Sequence, residues 1–226
     1  MAWTATNSEG YEAPAALAVD AVVLTVRDGV LTALTIPAVG QEDRTALPGG
    51  FAGRRESPAE AARRKLKEKT GLDELYLEQL GAFADPDRDP RGWIPSIAYL
   101  ALVPPDTEPT DPAARWIRAR GRRKLAFDHR TILRTAIERV EGKLWWSNVA
   151  VGILPGDFSM TEARLVYEAI SGATYDAATF ARDLKATGLV APTGARRSEG
   201  PGRPAALYRF SSHRQTWGAG HRKRVG

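Results

Sequence analysis

The stretch GGFAGRRESPAEAARRKLKEKTGL, residues 49–72, decides the fold and raises the question of function. Its second half predicts a helix from Ser57 to Lys69, because Ser57 can act as the N-cap and Glu60 can complete a capping box with Ser57. Gly71 is expected to end this helix, since glycine readily adopts the left-handed conformation that follows a last helical turn. The stretch therefore predicts a glycine-rich loop followed by one well-delimited helix.

The same stretch resembles the Nudix box, G-x5-E-x7-R-E-U-x-E-E-x-G-U, in which U is aliphatic. The positions that match in register are Gly50, Glu56, Arg64, Leu66, Glu68, Gly71 and Leu72. The resemblance implies a Nudix fold. In that family, glutamates at the positions corresponding to 65, 68 and 69 hold the divalent cations that assist pyrophosphate hydrolysis. These positions are i, i+3 and i+4, on one face of a helical turn.

In this chain the three metal-binding positions hold Lys65, Glu68 and Lys69. Two unit charges about 4 Å apart interact by about 4 kcal/mol at an effective dielectric near 20, and a divalent cation would oppose a lysine roughly twice as strongly. We therefore expect no catalytic residue and no bound metal at this box. The alternative is that other carboxylates, such as Glu56 or Asp85, rebuild a metal site.

A cleft that has lost hydrolysis can still bind a nucleoside diphosphate derivative, and lysines favour its phosphates. The loop RDPRGW, residues 88–93, adds two guanidinium groups for a pyrophosphate and an indole that can stack on a base. The alternative is a solvated loop with its tryptophan buried in the core. The residues expected to contact an effector are Arg54, Arg88, Arg91, Trp93 and Asp128.

Hydrophobic patterns outside the box predict a sheet and a second helix. Two apolar runs separated by Asp28-Gly29 predict a hairpin with this dipeptide at its tip. Strands are predicted within AALAVDAVVLTV (15–26), VLTALTIPA (30–38), TALPGG (45–50), LYLEQLGAFAD (75–85) and WIPSIAYLALVP (93–104). A helix is predicted from His129 to Lys143, and Pro155-Gly156 marks the candidate boundary between domains.

The last third of the chain has a different pattern. Ser159-x-x-Glu162 predicts a capped helix that ends at Gly172, and Asp176 predicts the N-cap of a second helix that ends at Gly188. Two short strands, LVAPT (189–193) and AALYRF (205–210), flank the glycine-rich basic segment GARRSEGPGRP (194–204). Two short helices followed by a basic hairpin are typical of a winged helix-turn-helix.

The charge distribution supports a nucleic-acid partner for this part. Residues 159–226 carry eleven Lys and Arg against five Asp and Glu, whereas residues 1–158 carry 21 against 22. A basic domain next to a nearly neutral one suggests binding to a polyanion. Alternatives are a solvated basic tail, or a dimerisation or lid domain. The DNA-binding residues expected on the second helix and the wing are Thr179, Arg182, Lys185, Arg196, Arg197 and Arg203.

Composition excludes several other classes of protein. The 226 residues include no cysteine and three scattered histidines, which excludes disulfides and disfavours a histidine metal site. No apolar run is long enough to cross a bilayer, and the N-terminus lacks the charged start and apolar core of a secretory signal. We therefore expect no membrane partner and a cytoplasmic location.

The whole pattern resembles the Nudix-related transcriptional regulators of bacterial NAD metabolism, the NrtR family. Beyond the box, the resemblance rests on LAFDH (125–129), ILPGDFSMTE (153–162), YEAISG (167–172), ATGLVAPTG (186–194) and GRPAALYRF (202–210). The resemblance implies a homodimer that binds a double-stranded DNA operator of NAD synthesis or salvage genes, usually as a repressor. It also implies that the Nudix domain senses ADP-ribose or a related NAD metabolite as effector, without a cofactor. The second helix departs from the family, because DAATFARD (176–183) stands where arginine-rich runs are common.

The fold class expected is α+β, with a Nudix-type α/β/α sandwich followed by a winged helix-turn-helix domain. The expected organisation is an N-terminal arm (1–14), a Nudix-like effector-sensing domain (15–154) and a DNA-binding domain with a basic tail (155–226). The alternative function is an active Nudix hydrolase of ADP-ribose or a related dinucleotide, with the last third as a lid. A third possibility is a protein that has both functions.

Overall fold

A computed structural model describes residues 4–6, 8–10, 12–14, 16–41, 43–198 and 204–211. The strands are β1 (Thr4–Thr6), β2 (Glu12–Pro14), β3 (Ala18–Arg27), β4 (Val30–Pro37), β5 (Thr45–Ala46), β6 (Gly49–Phe51), β7 (Glu78–Phe83), β8 (Ser96–Leu102), β9 (Arg115–Arg118), β10 (Phe158–Ser159), β11 (Val190–Arg197) and β12 (Ala205–Phe210). The helices are α1 (Pro58–Thr70), α2 (His129–Lys143), α3 (Met160–Ser171) and α4 (Ala177–Ala186), and a 3-10 turn spans Val149–Gly152. No helix among these residues is long and apolar enough to span a membrane.

The chain divides into two compact units that are interleaved in sequence. The first unit comprises residues 1–24, 32–101 and 107–136, and the second comprises residues 25–31, 102–106 and 137–226. The division falls inside α2, between Ala136 and Ile137. The expected boundary near residue 154 stays a prediction.

The largest sheet has seven strands and carries the functional cleft. Its strand order is β5-β4-β3-β8-β7, with β6 paired to β3 and β9 paired to β4. The predicted hairpin between β3 and β4 is confirmed: Asp28 and Gly29 have φ values of 50° and 71°, as a tight turn between twisted strands requires. Strand β3 is buried along nearly its whole length, which explains its continuous apolar run.

Helix α1 follows the sequence prediction closely. The Ser57 hydroxyl accepts a hydrogen bond from the Glu60 backbone N–H, and the Glu60 carboxylate accepts one from the Ser57 backbone N–H. Gly71 ends the helix with a φ of 73°, and a Cβ at Gly71 would lie 1.7 Å from the Thr110 hydroxyl oxygen. The glycine is therefore required both for the turn and for the close approach of the loop between β8 and β9.

The second unit contains the helix pair and hairpin of a winged helix. The capping box predicted at Ser159 and the caps predicted at Gly172 and Asp176 are all present. Strands β10, β12 and β11 form a three-stranded antiparallel sheet in that order. Four aromatic side chains of this unit contact one another in edge or tilted arrangements, with ring centroids 5.2 to 5.8 Å apart; they are Trp145, Tyr167, Tyr175 and Phe180. The predicted α+β class with a C-terminal winged helix is confirmed.

The sequence patterns missed some short elements. Strand β9 has the sequence RWIR and pairs with β4, but four residues with charges at both ends give too little alternation to identify a strand. Strand β10 has only two residues and overlaps the cap of α3. The segment TALPGG, predicted as one strand, forms β5 and β6 with a break at Leu47 and Pro48, since proline cannot donate to a strand ladder.

Candidate functional site

A cleft of about 250 Å³ lies in the first unit, at the surface where the box helix faces the sheet. Its lining comes from β3 to β6, from α1, from the loop at residues 88–91 and from the beginning of α2. The charged side chains that line this cleft are Asp20, Lys65, Lys69, Arg88, Asp89 and Arg91. Cations outnumber carboxylates in this set, so the cleft favours an anion.

The two lysines of the box helix form one wall of the cleft. Lys65 and Lys69 are one helical turn apart on α1, so both side chains project from the same face. The stem of Lys65 crosses directly over Gly50, where a Cβ would lie 2.9 Å from two carbons of the lysine side chain. The glycine at this position therefore gives the lysine its path into the cleft.

Arg64 binds the preceding loop to α1. Its guanidinium donates to both carboxylate oxygens of Glu56, at 2.7 and 2.6 Å, and to the Phe51 carbonyl at 3.2 Å. Glu56 in turn accepts a hydrogen bond from the Gly53 backbone N–H at 2.6 Å. The Arg64 hydrogen bonds and the Gly53 N–H outweigh a small burial cost and lower the pKa of Glu56 to about 2. The loop is thus shaped by a carboxylate that is ionised across the ordinary pH range.

Glu68, the remaining glutamate of the three metal-binding positions, is engaged by two cations. Its carboxylate lies 2.8 Å from Lys65 Nζ and 3.1 Å from a guanidinium nitrogen of Arg64, and these contacts lower its pKa. Among the residues that the structure describes, no group of three or more His, Cys, Asp or Glu could hold a metal ion. This donor set does not fit the divalent cation that the Nudix box implies, because hard cations require several oxygen ligands.

A buried polar cluster forms the floor of the cleft. Asp20 accepts a hydrogen bond from the Ser96 hydroxyl at 2.6 Å, and its other oxygen lies 3.2 Å from His129 Nε2. His129 Nδ1 accepts the Leu47 backbone N–H at 2.9 Å, so the ring proton belongs on Nε2, facing Asp20. Burial alone would raise the pKa of Asp20, but His129, Ser96 and the Arg88 charge together lower it.

Arg88 is a buried arginine that connects several parts of the first unit. It donates to both oxygens of Asp128, at 3.0 and 2.7 Å, and to the Ile94 carbonyl at 2.9 Å, and its NH2 lies 3.5 Å from Asp20. Its side chain is only 2% exposed. All of these contacts fix the guanidinium in place, as a buried cation requires.

Arg91 is held between two aromatic rings. Its guanidinium carbon lies 5.0 Å from the centroid of Phe51 and 5.4 Å from that of Phe127, and its nitrogens donate to both oxygens of Asp89. Phe127 has a φ of 52°, a costly conformation for an aromatic residue that is characteristic of binding sites. The rings therefore orient the guanidinium at the cleft wall.

The other residues expected to contact an effector lie elsewhere in this unit. Asp128 lines a neighbouring cavity of about 390 Å³, which Asp85 also lines. Arg54 is exposed and lines neither cavity. Trp93 lines neither cavity, and its indole N–H donates to the Ala84 carbonyl. Because Trp93 is 40% exposed, the alternative that this tryptophan is buried in the core is wrong.

The side chains expected to face DNA on α4 are solvent-exposed. Thr179, Arg182 and Lys185 all lie on the open side of the helix, while Phe180 and Leu184 point into the core. The ammonium of Lys185 lies 5.1 Å from the ring centroid of Tyr208 on β12. The helix thus presents a continuous polar face.

The two wing arginines that the structure describes have different surroundings. Arg196 is exposed and donates to the Pro204 carbonyl at 2.9 Å. Arg197 is half-buried and pairs with Glu162, the carboxylate of the α3 capping box. Arg203 and the basic tail at residues 212–226 lie outside the described residues.

Two domain families match the sequence of this chain. Residues 14–136 match the NUDIX domain, and residues 150–210 match the NrtR DNA-binding winged helix domain. The "ADPR responsive transcriptional repressor NtrR" of Acinetobacter baylyi is 33% identical in an alignment of 205 positions, which covers 86% of this chain and 82% of the repressor.

Solved structures agree with these matches. NrtR of Shewanella oneidensis, crystallised with a 27mer DNA, is 30% identical, with a TM-score of 0.74 over 89% of this chain and 96% of that protein. The NUDIX domain of the same protein, crystallised with ADP ribose, is 30% identical, with a TM-score of 0.53 over 59% of this chain and 93% of that domain. This chain matches both the NUDIX domain and the NrtR winged helix, and it is 33% identical to a repressor of which it covers 82%. The chain therefore belongs to the NrtR family of Nudix-related transcriptional regulators.

Proposed function

We propose that this protein is a DNA-binding repressor of NAD synthesis or salvage genes, and that its Nudix domain binds ADP-ribose or a related NAD metabolite as effector. The observation that carries the proposal is a basic cleft in the same chain as a winged helix with exposed polar side chains on α4; among the described residues, no group of acidic or histidine side chains could hold a metal ion. The Acinetobacter relative is an ADP-ribose-responsive repressor, and Shewanella NrtR has been crystallised with DNA and, as its NUDIX domain, with ADP ribose.

The Nudix domain acts as a sensor because its hydrolytic site is degenerate. Hydrolysis of a pyrophosphate needs divalent cations to neutralise phosphate oxygens and to activate water. Lys65 and Lys69 repel such cations, and Glu68 is already neutralised by Arg64 and Lys65. An effector can therefore bind and dissociate uncut, as a reversible signal requires.

DNA binding belongs to the exposed face of α4 and to the wing. Thr179, Arg182 and Lys185 are exposed on that helix, in positions that suit contacts with base edges and phosphates. Arg196 is the exposed arginine of the described part of the wing, whereas Arg197 stabilises the wing base through Glu162. The protein acts in the cytoplasm as a homodimer, in which each subunit would place one recognition helix on a half-site of the operator.

Effector binding changes DNA affinity only if the effector prefers the arrangement that binds DNA poorly. The protein should therefore bind DNA and ADP-ribose in competition with each other. A gel shift with the region upstream of its own operon tests this proposal, with a random fragment of equal length as control. A specific complex that ADP-ribose dissociates is the expected result, and equal affinity for both fragments would exclude a specific regulator.

Glu68 is retained at a metal-binding position and its side chain is 43% exposed, although both of its oxygens contact a cation. This retention is the observation that keeps hydrolysis as the second candidate function. Incubation of the protein with ADP-ribose and Mg²⁺ or Mn²⁺ separates the two functions. No release of AMP is expected. AMP release that Glu68→Gln abolishes would show an active hydrolase, and together with a specific gel shift it would show a protein with both functions.

A further inference from the structure

The four cationic side chains that line the cleft differ in whether a carboxylate already pairs with them. Lys65 pairs with Glu68, Arg88 pairs with Asp128 and Asp20, and Arg91 pairs with Asp89. Lys69 lines the same cleft, is half-buried, and makes no hydrogen bond or ion pair with any residue that the structure describes. Lys69 is therefore the cation in the cleft whose charge is not yet balanced by a neighbour.

This difference determines which of the four cations offers an entering anion the most favourable interaction. A phosphate oxygen that approaches Arg88 or Arg91 competes with a carboxylate already in place. A phosphate oxygen at Lys69 makes a charge-assisted hydrogen bond without breaking another one, and partial burial of the lysine strengthens it. Lys65, one turn earlier on the same face, already pairs with Glu68, but its ammonium has three N–H donors and can receive a second oxygen while that pair is kept.

We propose that Lys69, assisted by Lys65, takes the place of the divalent cations of a Nudix site, so that this cleft binds a diphosphate without metal. Both ammonium groups project from positions where the family's metal-binding glutamates stand. The positive charge that a metal ion would supply is thus part of the chain itself. The proposal rests on the proposed function for the identity of the effector, but its diphosphate chemistry follows from the cleft alone.

Added Mg²⁺ should have opposite effects on the affinity of a metal-free site and of a metal-bridged site. Mg²⁺ bound to a diphosphate cancels much of its negative charge and brings a cation towards two lysines. Added Mg²⁺ should therefore weaken binding in this protein, whereas a metal-bridged site requires Mg²⁺.

Calorimetric titration of the full chain tests the proposal, with inorganic pyrophosphate and ADP-ribose as the two probes. Each titration is done once with a chelator and once with excess Mg²⁺. Both probes should bind in the presence of chelator, with a higher Kd when Mg²⁺ is added. Binding of pyrophosphate only in the presence of Mg²⁺, or under neither condition, would overturn the proposal.

Two matched variants identify the lysine responsible. Lys69→Met keeps the apolar stem but removes the ammonium, and it should weaken metal-free pyrophosphate binding by about tenfold or more. Lys67→Met is the control, because Lys67 lies two residues away, is exposed, pairs with Asp73 at 2.6 Å and does not line the cleft. Equal affinities for both variants would overturn the role of Lys69, and thermal unfolding verifies that both variants are folded.

The two probes separate this inference from the proposed function. Metal-free pyrophosphate binding through Lys69, without any effect of ADP-ribose on DNA binding, would support the anion site and contradict the proposed effector. Dissociation of DNA by ADP-ribose only in the presence of Mg²⁺ would support the regulator and contradict the metal-free site.

Discussion

At the scale of single residues, Gly49 has the most restricted surroundings in the cleft. A Cβ at this position would lie 2.4 Å from a carboxylate oxygen of Asp20 and 2.4 Å from the Val19 carbonyl oxygen. Gly49→Ala should therefore displace β6 from β3 and lower the free energy of unfolding by about 1–3 kcal/mol. Chemical denaturation measures this loss.

Gly81 is the matched control for that substitution. It also lies in a strand, β7, but a Cβ at Gly81 would meet no atom within 4 Å. Gly81→Ala should change stability little or raise it slightly, by about 0.4–1 kcal/mol, since alanine restricts the unfolded chain. Equal losses in the two variants would show that crowding at Asp20 is not the cause.

The lowered pKa of Glu56 should make the stability of the folded protein depend on pH. Its pKa is about 2 in the folded protein, below the value of about 4.3 in an unfolded chain. The ionised form therefore stabilises the fold above about pH 4.3, and this contribution is lost as the pH falls towards 2. Thermal unfolding of Glu56→Gln beside the unchanged protein should show a difference at neutral pH that shrinks through this window. A difference independent of pH would contradict a role for the charge of Glu56.

The sequence predicted some residues of the cleft and missed others for physical reasons. Lys65 and Lys69 could be placed because a helical register fixes which face each residue occupies. Arg88 was also identified, from a loop rich in charge. Asp20 and Phe127 were missed as cleft residues, because a buried carboxylate inside an apolar strand and an aromatic ring with positive φ leave no periodic signal.

At the scale of elements, one hydrogen bond connects the end of α2 to α3. The Tyr167 hydroxyl donates to the Leu144 carbonyl at 2.7 Å, in a buried position. Tyr167→Phe should leave that carbonyl without its donor and lower the free energy of unfolding by about 1–3 kcal/mol. Tyr175→Phe removes a hydroxyl that bonds to Ser171 in a half-buried position, and it should cost less. Denaturant titration of both variants tests the order, and a larger loss for Tyr175→Phe would contradict it.

Exposed arginines on α4 and on the wing should make the affinity for DNA depend on the salt concentration. Arg182 and Arg196 are exposed, so Arg182→Ala or Arg196→Ala should each reduce the slope of log K against log salt concentration by about 0.9 if the lost side chain neutralised one phosphate. Arg209 is the control, because it lies on β12, outside α4 and the segment 194–204, and its guanidinium is paired with both oxygens of Asp157. Arg182, by contrast, contacts a single oxygen of its neighbour Asp183. Fluorescence anisotropy over a salt series measures the slopes. An equal reduction for Arg209→Ala would contradict the assignment to these two arginines.

Helices that begin at a capping residue were predicted better than short strands, whose existence depends on the strand with which they pair. The caps at Ser57, Ser159 and Asp176 fixed the starts of three helices, because each side chain satisfies backbone donors of its own helix. Strands β9 and β10 depend on partners far away in the sequence. A strand of two to four residues gains its stability from the partner strand, so its own sequence contains little of the information.

At the scale of the whole molecule, the two units share a helix. Residues up to Ala136 belong to the first unit and residues from Ile137 to the second, so the division of the chain falls within α2. The chain should therefore unfold in one cooperative transition, with a calorimetric enthalpy close to the van't Hoff enthalpy. Scanning calorimetry tests this prediction, and two separated transitions would contradict it.

The family and its two domains could be predicted from the sequence because their motifs are local, but the interleaving could not. The segments 25–31 and 102–106 include the ends of predicted strands, and strand patterns do not indicate which compact unit each strand end joins. A boundary near residue 154 follows from composition, since Pro155-Gly156 interrupts both neighbouring patterns. Packing, by contrast, groups residues 137–154 with the C-terminal part.

The shared helix has a consequence for recombination. A chimera that exchanged the DNA-binding part between two relatives with one crossover at residue 154 would join the second half of α2 from one parent to α3 from the other. Tyr167 and Leu144, which are hydrogen-bonded, would then come from different parents. An exchange that respects packing needs three segments from the same parent, namely 25–31, 102–106 and 137 onward. The two parts of this protein are therefore poorly suited to exchange by a single crossover, although their sequence motifs are separate.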